Sequence, residues 1–299
     1  MSRLGRFSPD RQLTTRMLAV VFSLGLLYVV AIAALVAYGV NPVLVVLVAA
    51  GFFAFQYFAS EGAALRALGA REVTPEEEPD LHAVVDRLCA LSDTPKPRVA
   101  VARSDVPNAF ATGRSPDRAL VCVTTGLLRR LEPDELEGVL AHELSHVAHR
   151  DVAVMTVASF LGVLAGIVAR NALRGMYYTR GRRDSRTVPL LLAVVLVSAV
   201  VYAVSFVLLR ALSRYRELSA DRTAAQLTGR PSSLASALTK VSGEMARVPT
   251  EDLREAEPFN AFFFAPALAS GLSFSTLFAT HPPLERRLEQ LARMSGQLS

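Results

Sequence analysis

Cysteine is nearly absent from this chain: Cys89 and Cys122 are the only two in 299 residues. Two thiols cannot build a disulfide framework or a Cys-rich metal site, and both read as buried packing residues. Charge is also sparse, at 20% of residues, against a hydrophobic content of 52% and a mean hydropathy of +0.34. That balance excludes a disordered tail and an ordinary soluble enzyme, because the apolar residues are clumped into runs rather than spread. Internal repeats and low-complexity tracts are missing as well. The net charge is +5, but the Arg residues gather beside the apolar runs, where anionic lipid accounts for them more simply than nucleic acid does. No nucleic-acid partner is expected, and a lipid bilayer is. The length suits about two domains.

Four runs are long and apolar enough to cross a bilayer, for which a helix needs roughly 17–25 residues: 17–38, 43–59, 152–169 and 188–209. The first exceeds the core of a secretory signal and is followed at once by another span, so it reads as an uncleaved anchor. Arg3, Arg6, Arg11 and Arg16 against a lone Asp10 put the N-terminus in the cytoplasm. The uncharged link 39–42 suits an external turn. Between the third and fourth runs the same rule meets a conflict, since Arg174, Arg180, Arg182, Arg183 and Arg186 face a single Asp184. Either the first hairpin overrides the second, or the last two runs form a helical pair that does not present this loop outside. Four spans are the expectation.

The organisation that follows is an N-terminal transmembrane hairpin (1–59), a polar region (60–151), a second hairpin (152–209) and a second polar region (210–299). A Pro- and Glu-rich linker at 74–80 leads into a helical pattern through Leu81, Val84, Val85 and Leu88. Two β-type runs, 98–102 and 119–125, flank a loop and predict a small antiparallel sheet. The stretch Glu132-Pro133-Asp134-Glu135 reads as a helix start, with proline in the first turn and acids at the positive end of the dipole.

That helix carries His142-Glu143-Leu144-Ser145-His146. Residues four apart share a helix face, so two imidazoles there can grip one Zn²⁺ while Glu143, a step around, reaches the water that the metal activates. Chance is the alternative, since three specified residues in five recur in unrelated proteins. A catalytic zinc wants a third protein ligand. His149 is only one turn beyond His146, and the spacing that would bring a third His back falls on Val152; His149 therefore reads as a helix-end residue. Glu217 is the better candidate, with Asp221 four residues further on the same face, where it can hold a histidine, bind substrate or donate a proton. His146 precedes the third run and Glu217 follows the fourth, so they meet only if the chain crosses the bilayer an even number of times between them. His82 sits in an ordinary amphipathic helix.

These residues resemble the HtpX-type membrane zinc metalloproteases, relatives of the CAAX prenyl proteases, over nearly the whole chain. The matching pieces are Asn-Ala-Phe-Ala-Thr-Gly at 108–113, Thr-Thr-Gly-Leu-Leu at 124–128, His-Glu-Leu-Ser-His with Arg150-Asp151 after it, Glu217 with Asp221, and Thr-His-Pro-Pro-Leu-Glu-Arg-Arg at 280–287. The resemblance implies an α+β, mostly α fold: a transmembrane helical bundle with a gluzincin-like catalytic domain. It implies one Zn²⁺ held by His142, His146 and Glu217, with Glu143 as base and Asp221 as proton donor or outer partner. It also implies protein quality control under stress, with unfolded polypeptides or damaged membrane proteins as substrates in a bacterial inner membrane; the Arg distribution and an even number of crossings put the site close to the cytoplasmic membrane surface. A prenyl-protein peptidase and a zinc-dependent scaffold that no longer cuts are the rival functions.

The remaining matched residues carry two readings each. The segment 119–123 reads as the edge strand beside the zinc helix, where an extended substrate can add as a further strand, with Asn108 and Phe110 near it; a structural loop and strand is the equal alternative. His281 and Arg287 suit stabilisation of an anionic intermediate or of substrate carbonyls, or else a helix cap followed by a solvated helix. The run 259–278 is as long as a span but broken by Pro266 and Gly271, and it reads as a cover over the cleft.

Overall fold

A computed structural model of the chain describes residues 10–37, 69–113, 115–151, 187–245 and 282–298, with isolated positions between 41 and 65 and between 154 and 174. The expected second and third spans are therefore described only at scattered positions, and the cover at 259–278 and His281 lie outside the described residues. In chain order the elements are α1 (Arg11–Ala37), β1 (Ala70–Glu72), α2 (Pro79–Ser92), β2 (Arg98–Ala102), β3 (Ala109–Thr112), β4 (Leu120–Thr124), α3 (Thr125–Leu128), α4 (Pro133–Ala148), α5 (Thr187–Thr228), α6 (Pro231–Met245) and α7 (Leu284–Leu298). The chain divides into one unit of Met1–Leu13, Glu61–Ala153 and Ser213–Ser299, and a second of Thr14–Ser60 and Val154–Leu212.

The second unit holds most of α1 and the first part of α5. At 27 residues α1 is about 40 Å long, enough to cross a hydrocarbon core of about 30 Å. Its side chains face outward in an apolar band, with Phe22 74% and Leu18 66% exposed. Leu196, Val200 and Val207 do the same on α5. Water would penalise so much exposed apolar surface, whereas lipid does not. The fourth apolar run ends at Leu209, but α5 continues past it as one helix of 42 residues, about 63 Å. No proline or glycine interrupts it after Pro189, so the ladder runs on through the polar residues from Arg210 to Asp221.

The other unit is built on a four-stranded sheet in the order β1-β2-β4-β3. It is mixed, which corrects the antiparallel pairing expected of the two β-type runs: β2 and β4 are parallel, with Val99 opposite Val121 and Val101 opposite Val123. The loop between those runs contains a strand of its own, β3, which pairs antiparallel with β4. The chain thus reverses twice between β2 and β4 and ends up running the same way. The second reversal depends on Gly113, at φ 133°, where a side chain would meet the Ala119 backbone at 2.7 Å. Gly126 has a matching role at the far end of β4, because a Cβ there would collide with the Asp105 carbonyl.

As an inner strand, β4 is buried along its whole length, which explains its unbroken apolar run. One sheet face, with Val99, Val121 and Val123, packs on Val139, Leu140 and Leu144 of α4 and joins Leu234 and Leu238 of α6 in the main core. The opposite face holds Ala100, Phe110, Leu120 and Cys122. Burial pushes the Cys122 thiol up to about 12, and both cysteines are free and buried, as packing residues should be.

Candidate metal centre

The centre begins with the start of α4. Glu132 caps the helix, its own N–H donating to the Glu135 carboxylate at 2.9 Å while its side chain accepts from the backbone three residues on. Lys240 and Ser236 donate to the same Glu135, at 2.8 and 2.6 Å, so α6 holds α4 in place. Three turns later the helix presents His142 and His146 on one buried face. It ends at His149, whose ring Nδ1 lies 2.8 Å from the Ser145 carbonyl. Arg150 then adopts φ 55°, a left-handed conformation that costs a non-glycine residue roughly 1–2 kcal/mol. That reversal brings the next residue, Asp151, back against His146.

Glu217 of α5 completes a triangle of donors. The two Nε2 atoms are 3.2 Å apart, and each lies 3.5 Å from a Glu217 carboxylate oxygen. Donors about 2.0–2.2 Å from a tetrahedral zinc are about 3.3–3.6 Å from one another, so two edges of this triangle match and the third is about 0.1 Å short. All three side chains are buried. Glu143 is buried beside them, its Oε2 accepting from the Ala111 N–H of β3 at 2.9 Å. Burial raises its pKa, with Glu217 adding to the effect and the two imidazoles opposing it.

Each imidazole is held from behind by a carboxylate, and each carboxylate by a guanidinium. His142 Nδ1 lies 3.0 Å from Asp221 Oδ1, and Asp221 accepts two hydrogen bonds of 2.7 Å from Arg287. His146 Nδ1 lies 2.9 Å from Asp151 Oδ2, which is also 2.9 Å from Arg216 Nε. Burial alone would raise Asp151, but Arg216 and then His146 hold its pKa down at about 2. Asp221 is likewise lowered, burial being outweighed by Arg287.

The charges do not balance among these side chains. Among the described residues, four buried carboxylates, Glu143, Asp151, Glu217 and Asp221, face two guanidiniums, Arg216 and Arg287. A dication at the donor triangle brings the sum to zero with both histidines neutral. The excess negative charge is visible at His142: burial lowers its pKa, yet Asp221 and Glu217 lift it to about 9. Donor type, spacing and charge all fit a divalent zinc ion.

The structure therefore brings His142, Glu143, His146, Glu217 and Asp221 together. Arg287 joins them in a way that neither sequence reading described: it is 2% exposed, clamped on Asp221, with Nη1 3.9 Å from Glu217. Asp221 takes its Nε–H and an Nη2–H, and burial excludes the reading as part of a solvated helix. Asn108 and Phe110 lie at the start of β3, but Asn108 pairs through its backbone with Thr124 and the Phe110 ring is buried on the sheet face away from α4. The edge beside α4 is β3, not the segment 119–123, which is covered on both sides. His82 is buried with Nε2 3.0 Å from the Val73 carbonyl, a structural contact. Asp151 and Arg216 were missed as site residues. The only signal was the dipeptide Arg150-Asp151 after the zinc helix, since Asp151 falls outside helical periodicity and depends on the reversal at Arg150.

Residues 75–295 match Peptidase family M48. The chain is 61% identical to "Protease HtpX homolog 1" of Streptomyces coelicolor over 293 residues, covering 98% of this chain and 96% of that relative. It is 50% identical to "Protease HtpX homolog" of Moorella thermoacetica over 289 residues, covering 97% and 96%. Among solved structures, that of S. mikatae Ste24p superposes with a TM-score of 0.50 at 16% identity, covering 94% of this chain and 66% of that one. The last likeness concerns the fold alone.

Proposed function

The chain belongs to peptidase family M48 and is a membrane metalloprotease; from that premise we propose that it is a zinc endopeptidase in which His142, His146 and Glu217 hold one Zn²⁺ and Glu143 is the general base. The donor triangle of 3.2, 3.5 and 3.5 Å carries this reading. When bound, zinc supplies Lewis acidity, bringing the pKa of a water toward about 7 and polarising a peptide carbonyl. Glu143 takes the proton from the attacking water and delivers it to the leaving amine. Burial raises its pKa, which favours uptake of the proton from the water.

Substrate selection follows from β3. Its outer edge lies beside Glu143, as the Ala111 contact shows, and an extended polypeptide can add there as a further strand through main-chain hydrogen bonds. Such pairing reads backbone more than side chains, and it requires an unfolded segment. This supports unfolded or damaged membrane proteins as substrates, and a role in quality control. Asp221 and Arg287 act by orienting His142 rather than by touching substrate.

The active site faces the cytoplasm, most simply that of a bacterial inner membrane. Tyr215 donates to Gln12 at 2.7 Å and Ser219 to Asp10 at 2.6 Å, which supports the start of α1 and the polar end of α5 lying on the same side, the positive one. A cysteine placed at the exposed Asp117 should stay unlabelled by a membrane-impermeant maleimide in intact cells and react after lysis. Labelling before lysis would reverse the orientation. The native thiols are buried and contribute little background.

Cleavage itself is tested with full-length protein in detergent and an unfolded, fluorescently labelled protein substrate. The wild type should cut, lose activity to a chelator and recover it with zinc. Turnover confined to a prenylated peptide would favour a prenyl-protein peptidase. Zinc binding without turnover of either substrate would favour a non-cleaving scaffold.

A further inference from the structure

We propose that Asp151 and Arg216 form a positioning pair that fixes His146 for the metal, equivalent to what Asp221 and Arg287 do for His142. The inference rests on the metal-centre reading above. Asp151 is 1% exposed, and one of its oxygens lies 2.9 Å from both His146 Nδ1 and Arg216 Nε. A neutral imidazole carries its proton on one nitrogen only. Donating Nδ1–H to a carboxylate leaves the Nε2 lone pair turned toward the donor triangle, and it makes that nitrogen a stronger ligand.

Two features argue against an incidental surface ion pair. Burying Asp151 without a cation would be costly, and Arg216, with only 12% of its side chain exposed, is placed to neutralise it. The carboxylate also reaches His146 only through the left-handed Arg150, a conformation maintained against its own cost. Arg216 immediately precedes Glu217, so one turn of α5 supplies both a ligand and the clamp on the opposing histidine. The pair thereby ties the end of α4 to α5 at the metal, and it sets the approach of His146 to Glu217.

The test uses full-length protein in detergent, stripped of metal and titrated with zinc against a competing chelator. Wild type should take up one equivalent. Asp151→Ala should bind about 10–100-fold more weakly, the usual cost of losing an outer partner of a metal-bound histidine. Asp151→Asn keeps an acceptor for Nδ1–H and should fall between the two. Glu137→Ala is the control for general destabilisation, because Glu137 is a buried α4 carboxylate paired with Arg87 at 2.6 Å instead of with a histidine; its melting temperature should fall while its zinc affinity holds. Loading with Co²⁺ adds a spectrum that should shift in Asp151→Ala and not in the control. Wild-type affinity in both Asp151 variants, or an equal loss in Glu137→Ala, overturns the proposal. If Asp151→Ala does not fold, Asp151→Asn decides by the same measure: weaker binding supports the pair and unchanged binding overturns it. A wild type that takes up no zinc would remove the metal-centre reading itself, and this inference with it.

Discussion

Replacing Glu217 with alanine should empty the metal centre and abolish cleavage together. Glu217 is the only anionic member of the donor triangle, and its two oxygens face the two imidazoles at 3.5 Å each. Its loss leaves two neutral nitrogens from one helix turn, which cannot complete a three-ligand site. Zinc affinity should fall by more than the roughly 10–100-fold expected when only an outer partner is removed. Charge works in the same direction, since the variant removes one of the four buried carboxylates that a dication balances. Metal content after dialysis and turnover of an unfolded substrate check this in one preparation. Retention of one zinc per chain would mean that another group closes the site, and the assignment of Glu217 would fail.

Glu143→Gln should separate binding from chemistry. The amide is nearly isosteric, and its oxygen can still accept the Ala111 N–H that the carboxylate accepts at 2.9 Å. The metal-binding triangle is untouched. What disappears is the group that takes and returns a proton, so kcat should fall by about 10²–10⁴-fold, the typical contribution of a positioned acid–base, with zinc still present at one per chain. Intermediate loss of both metal and turnover would point to a structural effect. Unchanged turnover would end the proposed mechanism.

Local patterns in the sequence carry some parts of this molecule outright. The apolar run of α1 is long enough to cross lipid wherever the rest of the chain goes, and the proline and acids at 132–135 start α4 through contacts within one turn. Placing His142 beside His146, and Glu217 beside Asp221, needs only helical repeat. The sheet is different. Strand direction depends on how many reversals lie between β2 and β4, and the short β3, four residues with small or polar neighbours, gives a weak alternation signal. The same gap hid the identity of the edge strand, because a run of apolar residues looks alike in an edge and an inner position. Arg287 was open to opposite interpretations for a related reason: nothing local distinguishes an arginine on an amphipathic helix from one buried against an aspartate 66 residues away.

By itself, then, the amino-acid order determined the apolar runs of α1 and α5 and the histidine pair with its glutamate, because each is a matter of composition or of spacing within one helix, and it made Glu217 a candidate by its place after the last run and its spacing to Asp221. Tertiary structure decided that Glu217 lies 3.5 Å from both imidazoles, that β3 flanks Glu143, and that Asp151 and Asp221 each fix a histidine with an arginine behind them. Those facts depend on contacts between residues far apart in the chain, whose energies come from burial and charge neutralisation in the folded core.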